Sequence, residues 1–255
     1  MADVDQGQLF EFLCRMGDNT LILGHRTSEW CGHAPVLEED IALANTALDL
    51  IGQTQMWLGL AADIEGRNRT ADDLAMLRDV WDFRNVLLVE QPNGDFGQTI
   101  MRQFLFDAFH LAMLTALTES SHEQVAAIAA KSIKEVQYHV ERSGDTVIGL
   151  GDGTTESHQR MQQALDLLWP YVGEMFVADP VDDAMLAAGI APDLAKLRAQ
   201  YDVIATAVLD EATLRTPESG FAHKGGKTGF QHSEHLGHLL TQMQWLQRAY
   251  PGATW

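Results

Sequence analysis

One stretch of the sequence combines the residue types of a metal site with a helical pattern, namely residues 130–143, AKSIKEVQYHVERS. In carboxylate-bridged di-iron bundles, two helices each carry a Glu followed three residues later by a His, because positions i and i+3 share one helix face. Here Glu135 is followed at that distance by Tyr138, and His139 comes one residue later. The stretch is therefore either a working half of a metal site or the remains of one.

Other ionisable residues stand alone on apolar segments. Asp49 is the only ionisable residue in the run 41–62, and the run 103–118 contains only Asp107 and His110. A helix that is apolar on every side is buried. A buried carboxylate must be paired, protonated or metal-bound, because an unpaired charge is costly to desolvate. We therefore expect these groups inside the protein.

The spacing of these residues predicts that they meet at one level of a bundle. Asn19 and Asp49 are about thirty residues apart, as are Asp107 and Glu135. Antiparallel helices joined by short turns bring such pairs to one height, at a rise of about 1.5 Å per residue. Asn19, or the neighbouring Asp18, would then join the three carboxylates around one midpoint, as in a di-iron core.

The ligand set of this core is incomplete. Gly52 and Tyr138 stand where the two histidines belong, whereas iron in such proteins uses mixed oxygen and nitrogen ligands. The sequence therefore favours a vestigial, neutralised di-iron pocket. Its predicted members are Asn19, Asp49, Gly52, Asp107, Glu135 and Tyr138.

Two side chains are predicted to neutralise the pocket. Lys131 lies one turn before Glu135, and His110 lies three residues after Asp107, so each could pair with its neighbour on the same helix face. The alternative is a retained site, with a metal ion held by Asp107, His110, Glu135 and His139.

Two further histidine groups and one basic loop have ligand-like composition. His25, Glu29 and His33 follow at i, i+4 spacing, and the segment HSEHLGH at 232–238 carries three histidines at i, i+3 and i+6. For the group at His25, Glu29 and His33 we favour a polar interface stripe over a zinc site. Zinc needs converging ligands, but residues at successive i+3 steps drift around a helix. For the segment HSEHLGH we therefore favour a helix start or a contact with a partner chain. The loop 220–229, with its three basic residues His223, Lys224 and Lys227, could contact phosphate, although a surface loop is favoured.

Apolar residues recur at helical spacing along nearly the whole chain, and alternating β-branched runs are almost absent, so the fold class is all-α. The predicted long helices are 9–33, 38–65, 96–119, 121–150, 155–169, 192–214 and 232–249, with short ones at 71–79 and 182–188. The long connection over 66–95 predicts the crossover of a ferritin-like four-helix bundle. We expect one domain over 1–255, with a core bundle at about 5–150 and C-terminal helices at about 152–250.

Composition argues against several classes of partner. Seventeen Lys and Arg against 36 Asp and Glu give a net charge of −19, which opposes binding to nucleic acid and anionic membranes. Cys14 and Cys31 are the only cysteines, so we expect no disulfide framework and a reducing, cytoplasmic setting. The N-terminal sequence lacks signal-peptide features, and the run 41–62 is too polar to span a membrane.

A resemblance to a known family is carried by five long blocks: GDNTLILGHRTSEWCGHAPVLEEDIALANTALDLIGQ, VEQPNGDF, RQFLFDAFH, AKSIKEVQYHVERSGD and HSEHLGHLLTQMQWLQRAYPG. Along nearly its whole length the chain resembles the C-subunit family of phenylacetyl-CoA epoxidase. That enzyme is the multicomponent monooxygenase of aerobic phenylacetate breakdown.

The resemblance implies a non-catalytic structural subunit that pairs with a related catalytic A subunit, which holds the di-iron centre. A small B subunit bridges such pairs, and a reductase with FAD and an iron–sulfur cluster supplies electrons from NADPH. The complex uses O2 to form the ring 1,2-epoxide of phenylacetyl-CoA. No catalytic residue and no cofactor are carried over to this chain, and a homodimer in isolation stays open. Two alternatives remain, an independent di-metal ferritin-like oxidase and a His-rich metal-binding bundle.

Overall fold

The computed structural model describes residues 5–218 and 222–253, which form an all-helical fold of the ferritin-like kind. The predicted fold class is therefore confirmed. The helices are α1 Gln6–Ser28, α2 Leu37–Glu65, α3 Ala71–Met76, α4 Leu87–Glu90, α5 Phe96–Leu117, α6 Glu123–Gly151, α7 Thr155–Leu168, α8 Pro180–Ala187, α9 Leu194–Glu211 and α10 Glu234–Ala249.

Four long helices form the core bundle. Helix α1 packs along α2, and α5 packs along α6. The α1–α2 pair is antiparallel, since Thr20 near the end of α1 lies beside Thr54 in the second half of α2, with 2.8 Å between their hydroxyl oxygens. The crossover between the two pairs contains α3, a 3-10 turn at Val80–Asp82 and α4, as the length of the segment 66–95 predicts.

Local sequence signals account for most helix ends. The carboxylate of Asp5 caps the start of α1, and that of Asp95 caps the start of α5. Gly66 ends α2 in the left-handed conformation, with φ at 66°, which a residue without Cβ adopts at little cost. Because these signals are local, the predicted ends of α2, α5, α6 and α7 lie within two residues of the observed ends.

The first helix ends earlier than predicted, at Ser28 rather than at His33. The carboxylate of Asp40 accepts hydrogen bonds from the backbone N–H groups of Gly32 at 2.8 Å and Ala34 at 3.2 Å. These bonds replace helical bonds over the segment, and Gly32 has a φ of 81° that is incompatible with a helix. The helical spacing of apolar residues continues through this turn, but the backbone there is not helical.

Helix α5 is the central element of the core. It is long and apolar enough to cross a membrane, but 83% of the relevant window is buried inside the protein. It packs against α6, α7 and α9, and α8 packs against α1. Helix α10 lies against α3 and the 3-10 turn of the crossover. The C-terminal helices therefore cover the bundle on the side of α1 and α5, and α7 and α9 also pack against α6.

Candidate functional site

A polar network crosses the middle of the bundle and joins α2, α5 and α6. The side-chain amide of Gln53 lies at its centre. Its Nε2 donates to Glu135 Oε2 at 3.1 Å, and its Oε1 lies 2.8 Å from His110 Nε2. Beside it, His139 Nε2 donates to Asp49 Oδ2 at 3.0 Å. Two of the expected carboxylates, Asp49 and Glu135, thus lie about one helical turn apart along the bundle, and each is bonded to a protein side chain.

Asp107 forms the inner end of the network. Its two carboxylate oxygens accept hydrogen bonds from Gln103 Nε2 at 2.8 Å and from Ser143 Oγ at 3.0 Å. Gln103 in turn accepts a hydrogen bond from Thr27 Oγ1 at 3.1 Å, which connects α1 to the network. Both oxygens of this buried carboxylate therefore contact neutral groups, although Ser143 shares its one hydroxyl hydrogen with the carbonyl oxygen of His139 at 2.7 Å.

Burial disfavours the charged forms of the two innermost groups. It raises the pKa of Asp107 to about 6, against the opposing effects of His139, Gln103 and Ser143. Burial, followed by the nearby charge of His139, lowers the pKa of His110 to about 3. His110 is therefore neutral at pH 7. Because Gln53 donates through its nitrogen to Glu135, its oxygen faces His110, and the His110 Nε2–H donates to that oxygen.

Gly52 and Tyr138 do not occupy positions in this network, so the predicted pocket is wrong by one residue on two helices. The Tyr138 side chain is 52% exposed, and a Cβ on Gly52 would meet no atom within 4 Å. The carboxylate of α2, Asp49, lies at the edge of the helix interface, and its side chain is 34% exposed. The positions four residues after each carboxylate, Gln53 and His139, therefore face inward.

The predicted contribution of α1 is also wrong. The Oδ1 of Asn19 accepts from the backbone N–H of Val86 at 2.8 Å, so it supports the crossover and not the network. Since Thr20 is level with Thr54, the α1 residue level with Asp49 lies near position 25, roughly 9 Å from Asn19 along the helix. The prediction assumed a short turn between α1 and α2, whereas eight residues separate them.

Asp18 has a similar structural role. Its carboxylate is fully buried, forms a two-point ion pair with Arg78, and accepts the backbone N–H of Arg84 at 2.8 Å. These three contacts fix the crossover against α1.

The predicted neutralising pairs are not formed. Lys131 is exposed, and Glu135 is half-buried with Gln53 as its hydrogen-bond donor. His110 bonds to Gln53 rather than to Asp107. Neutral partners take the place of the expected charged ones: Gln53 of α2 bonds to Glu135 and His110, and Gln103 of α5 and Ser143 of α6 contact Asp107. The sequence signal that was missed is the spacing of polar, uncharged residues four positions from each ionisable group, at Gln53, Gln103 and Ser143.

The alternative of a retained metal site requires converging ligands, and the structure separates them. Over residues 5–218 and 222–253, no group of three or more His, Cys, Asp or Glu side chains is placed to hold a metal ion. The Gln53 amide lies between His110 and Glu135, whereas Asp107 is enclosed by Gln103 and Ser143. The residues of the network do not fit a di-iron centre, which bridges its metals with carboxylates.

The two other histidine groups are dispersed. Glu29 and His33 lie beyond the end of α1, and Glu29 bonds to Arg26 and to Asn93 at 2.8 Å while His25 stays 3.8 Å away. The predicted stripe is therefore interrupted by the turn that ends the helix.

The HSEHLGH segment begins before a helix rather than on one. His232 precedes α10 and its side chain is buried, with Nδ1 donating to Glu90 and Nε2 facing the carbonyl oxygen of Phe83 at 3.2 Å. Ser233 also donates to Glu90, from its backbone N–H at 2.7 Å and its hydroxyl at 2.6 Å. The segment therefore holds the crossover and the start of α10 together.

The described part of the basic loop 220–229 is held mainly by contacts with the rest of the protein. Lys227 is buried and pairs with Asp182. The Glu174 carboxylate accepts from the backbone N–H groups of Gly225 at 2.7 Å and Lys227 at 3.3 Å, and burial raises the pKa of Glu174. Lys224 is exposed beside a cleft of about 540 Å³, and Gly220 lies outside the described residues. These contacts are those of a loop docked on the bundle.

The fold and the network define a ferritin-like helical protein whose central polar groups are bonded to one another. The whole chain, residues 1–255, matches the family of phenylacetic acid catabolic proteins, and the chain belongs to that family. It is also 49% identical over 248 residues to the C subunit of 1,2-phenylacetyl-CoA epoxidase from Escherichia coli (strain K12), a match that covers 97% of this chain and 99% of that protein. The resemblance carried by the sequence blocks is thereby confirmed.

Proposed function

We propose that this chain is the non-catalytic structural subunit of a multicomponent phenylacetyl-CoA 1,2-epoxidase in aerobic phenylacetate degradation. In this role it pairs with the catalytic A subunit and stabilises it. The family membership and the identity to the C subunit of the Escherichia coli enzyme support the pathway. The non-catalytic role rests on the chemistry of the bundle centre.

The observation that carries the non-catalytic role is the position of the Gln53 amide between His110 and Glu135. A di-iron core offsets the charge of two cations with several carboxylates, and its histidines ligate metal through a free ring nitrogen. Here an uncharged amide holds both the imidazole and the carboxylate by hydrogen bonds. The remaining carboxylate of the core, Asp107, is enclosed by neutral donors. The arrangement supports a structural role for the bundle centre.

The proposal places the cofactors in other chains of the complex. The di-iron centre belongs to the A subunit, and FAD and the iron–sulfur cluster belong to the reductase, with the B subunit bridging the A–C pairs. This chain binds no resident cofactor and acts in the cytoplasm. The acidic composition, with a net charge of −19, supports protein partners rather than nucleic acid or anionic lipid.

Iron analysis of the isolated chain, of the A subunit and of their complex tests the proposal. We expect iron to follow the A subunit, and epoxide formation to require the A subunit with this chain bound. The variants Asp107→Asn and His110→Gln should leave iron content and turnover per assembled complex unchanged. About two irons in each isolated, folded chain, together with O2-dependent turnover, would instead establish an independent di-metal oxidase and refute the proposal.

A further inference from the structure

A cleft of about 540 Å³ opens between the segment 174–179 and the loop 222–231. No side chain of the polar network in the bundle centre lines it, so the cleft is separate from that network. Its exposed wall is mainly apolar and includes Val177 and Phe230, and Lys224 contributes a cation. A cleft of this volume, with an apolar wall and few polar groups, is typical of a binding site for a small organic molecule.

The bundle holds the loop that lines the cleft, so the cleft exists before any ligand binds. The backbone N–H of His223 donates to the carbonyl oxygen of Pro170 at 2.8 Å, and the ring of His223 stacks on Tyr171 with 4.6 Å between the ring centroids. Further along the loop, the Glu174 carboxylate accepts the backbone N–H of Gly225 at 2.7 Å. A preformed wall removes the free-energy cost of ordering the loop when a ligand binds.

A tight turn in the same loop presents Phe230 at the rim of the cleft. The carbonyl oxygen of Gly225 accepts the backbone N–H groups of Phe230 at 3.0 Å and Gln231 at 3.2 Å. A Cβ on Gly226 would lie 2.5 Å from the carbonyl oxygen of Asn85, so the turn packs directly on the crossover. Phe230 is nevertheless 82% exposed. An aromatic side chain that is fixed by its backbone and exposed to water is available to pack against the ring of a ligand.

Most of the charged groups around the cleft are paired within the protein, and one lysine is not. Asp179 forms a two-point ion pair with Arg15, and Lys227 pairs with Asp182. Lys224 is exposed and forms no ion pair in the part of the chain that the structure describes. An unpaired ammonium group beside an apolar cleft is suited to a ligand that carries a single negative charge on an apolar body.

We propose that this cleft binds a small aromatic monocarboxylate. The ring of the ligand lies in the cleft against Phe230 and Val177, and its carboxylate pairs with the ammonium group of Lys224. The net charge of −19 repels ligands with several negative charges, whereas a single carboxylate needs only one cation. The site is independent of the role of the bundle centre and of the pairing with the A subunit.

Isothermal titration calorimetry of the full chain with 2-naphthylacetate tests the proposal. We expect one site with a dissociation constant on the order of 0.1 mM. Phenylacetate has one ring fewer and buries less apolar area, so it should bind about threefold to tenfold more weakly. Acetate has the charge without a ring and should not bind at about 10 mM. A dissociation constant above about 10 mM for 2-naphthylacetate, or equal affinities for the three acids, would overturn the proposal.

The contact with Lys224 is tested with a ligand that lacks the charge. The alcohol 2-(2-naphthyl)ethanol has the same ring and a hydroxyl group in place of the carboxylate. Lys224→Glu should weaken binding of 2-naphthylacetate by about tenfold or more, but change binding of the alcohol by less than about twofold. Lys134→Glu makes the same charge change at an exposed position of α6, and this control should leave both affinities within about twofold of the wild type. Equal weakening of acid and alcohol by Lys224→Glu would refute the charge contact.

The ring contact is tested with Phe230→Ala. Because Phe230 is exposed in the free protein, its removal should leave the thermal unfolding midpoint within about 2 °C of the wild type. It should weaken binding of the acid and of the alcohol alike, by about threefold to tenfold, since both ligands present the same ring. Trp245→Ala removes an aromatic side chain of α10 that is 59% exposed, and this control should bind both ligands as the wild type does. Unchanged affinity in Phe230→Ala would refute the ring contact.

Hydrogen exchange locates the bound ligand. Saturating 2-naphthylacetate should slow exchange of the backbone amides of Gly225 and Lys227, which donate to Glu174, because the ligand stabilises the closed loop. Exchange in α2 and α6 should not change. Protection confined to another part of the chain would overturn the proposal.

These measurements use this chain alone, so their failure is separable from failure of the proposed pairing with the A subunit. A protein partner is the competing occupant of the cleft. Loss of A-subunit or B-subunit binding by Phe230→Ala, in a chain that binds none of the acids, would assign the cleft to that subunit and refute the small-molecule site.

Discussion

Two buried carboxylates, one in the bundle centre and one at the crossover, are stabilised in different ways. Asp107 has only neutral donors around its oxygens, and its pKa rises to about 6. Asp18 is equally buried but faces the guanidinium of Arg78 and a backbone N–H. The first site limits its charge by favouring the proton, whereas the second holds a full charge with a countercharge. The bundle centre should therefore tolerate neutral substitutions that the crossover does not.

The largest expected effect is at the crossover. Asp18→Ala leaves Arg78 buried without its partner, and removal of one member of a buried ion pair costs about 3–5 kcal/mol. Urea unfolding at fixed protein concentration measures the loss. Asp202→Ala, which breaks the exposed pair with Arg198 on α9, should cost less than about 1 kcal/mol. Equal losses in the two variants would contradict the contrast between buried and exposed pairs.

A pH-dependent effect of the opposite sign is expected at Asp107. The folded pKa of about 6 lies above the ordinary aspartate pKa of 3.8, so this group lowers stability as pH rises from 3.8 through 6. Asp107→Asn removes that cost. Relative to the wild type, the variant should gain on the order of 2–3 kcal/mol in unfolding free energy between pH 4 and pH 7.5. Urea titrations of the variant and the wild type at the two pH values measure this gain. A difference in unfolding free energy that does not change with pH would contradict a raised pKa for Asp107.

A smaller loss is expected where the Gln53 amide is removed. Gln53→Leu leaves His110 and Glu135 without their shared partner, at a cost of about 1–3 kcal/mol for the buried donor. Lys131→Ala is the matched control, because that lysine is exposed. Thermal unfolding of both variants tests the reassigned partner of Glu135. A larger shift for the lysine variant would restore the ion pair expected from the sequence.

The smallest effect is a gain in stability. Gly52→Ala should stabilise the chain by roughly 0.5–1 kcal/mol, since alanine favours the helix and the position is open. Gly17→Ala is the contrasting variant, because its Cβ would lie 2.5 Å from Leu58. It should destabilise the chain instead. Stabilisation by both, measured in urea, would show that helix propensity alone governs these sites.

The sequence predicts more of the fold than of the site, for a physical reason. Helix ends depend on local signals such as Gly66 and Asp95, so most are predicted to within two residues. Burial of Asp107 and His110 follows from the apolar segment around them. Which residue faces inward depends on the rotation of each helix, and the spacing argument placed Tyr138 inside where the structure places His139. A one-residue error turns a helix by about 100°, and no local signal fixes that angle.

The hydrogen bonds from His232 and Ser233 to the Glu90 carboxylate have a consequence for how the chain folds during its synthesis. The crossover lies in the first half of the sequence and supplies one donor to this fully buried carboxylate, the Asn85 amide at 2.9 Å, but the other donors come from His232 and Ser233 in its last quarter. A nascent chain that ends before residue 232 would have to bury the Glu90 carboxylate without the donors from His232 and Ser233, which is unfavourable. We expect the crossover to close only after the ribosome has nearly finished. Proteolysis of ribosome-bound chains stalled before that point should cut near residues 85–90, and protection there would disprove late closure.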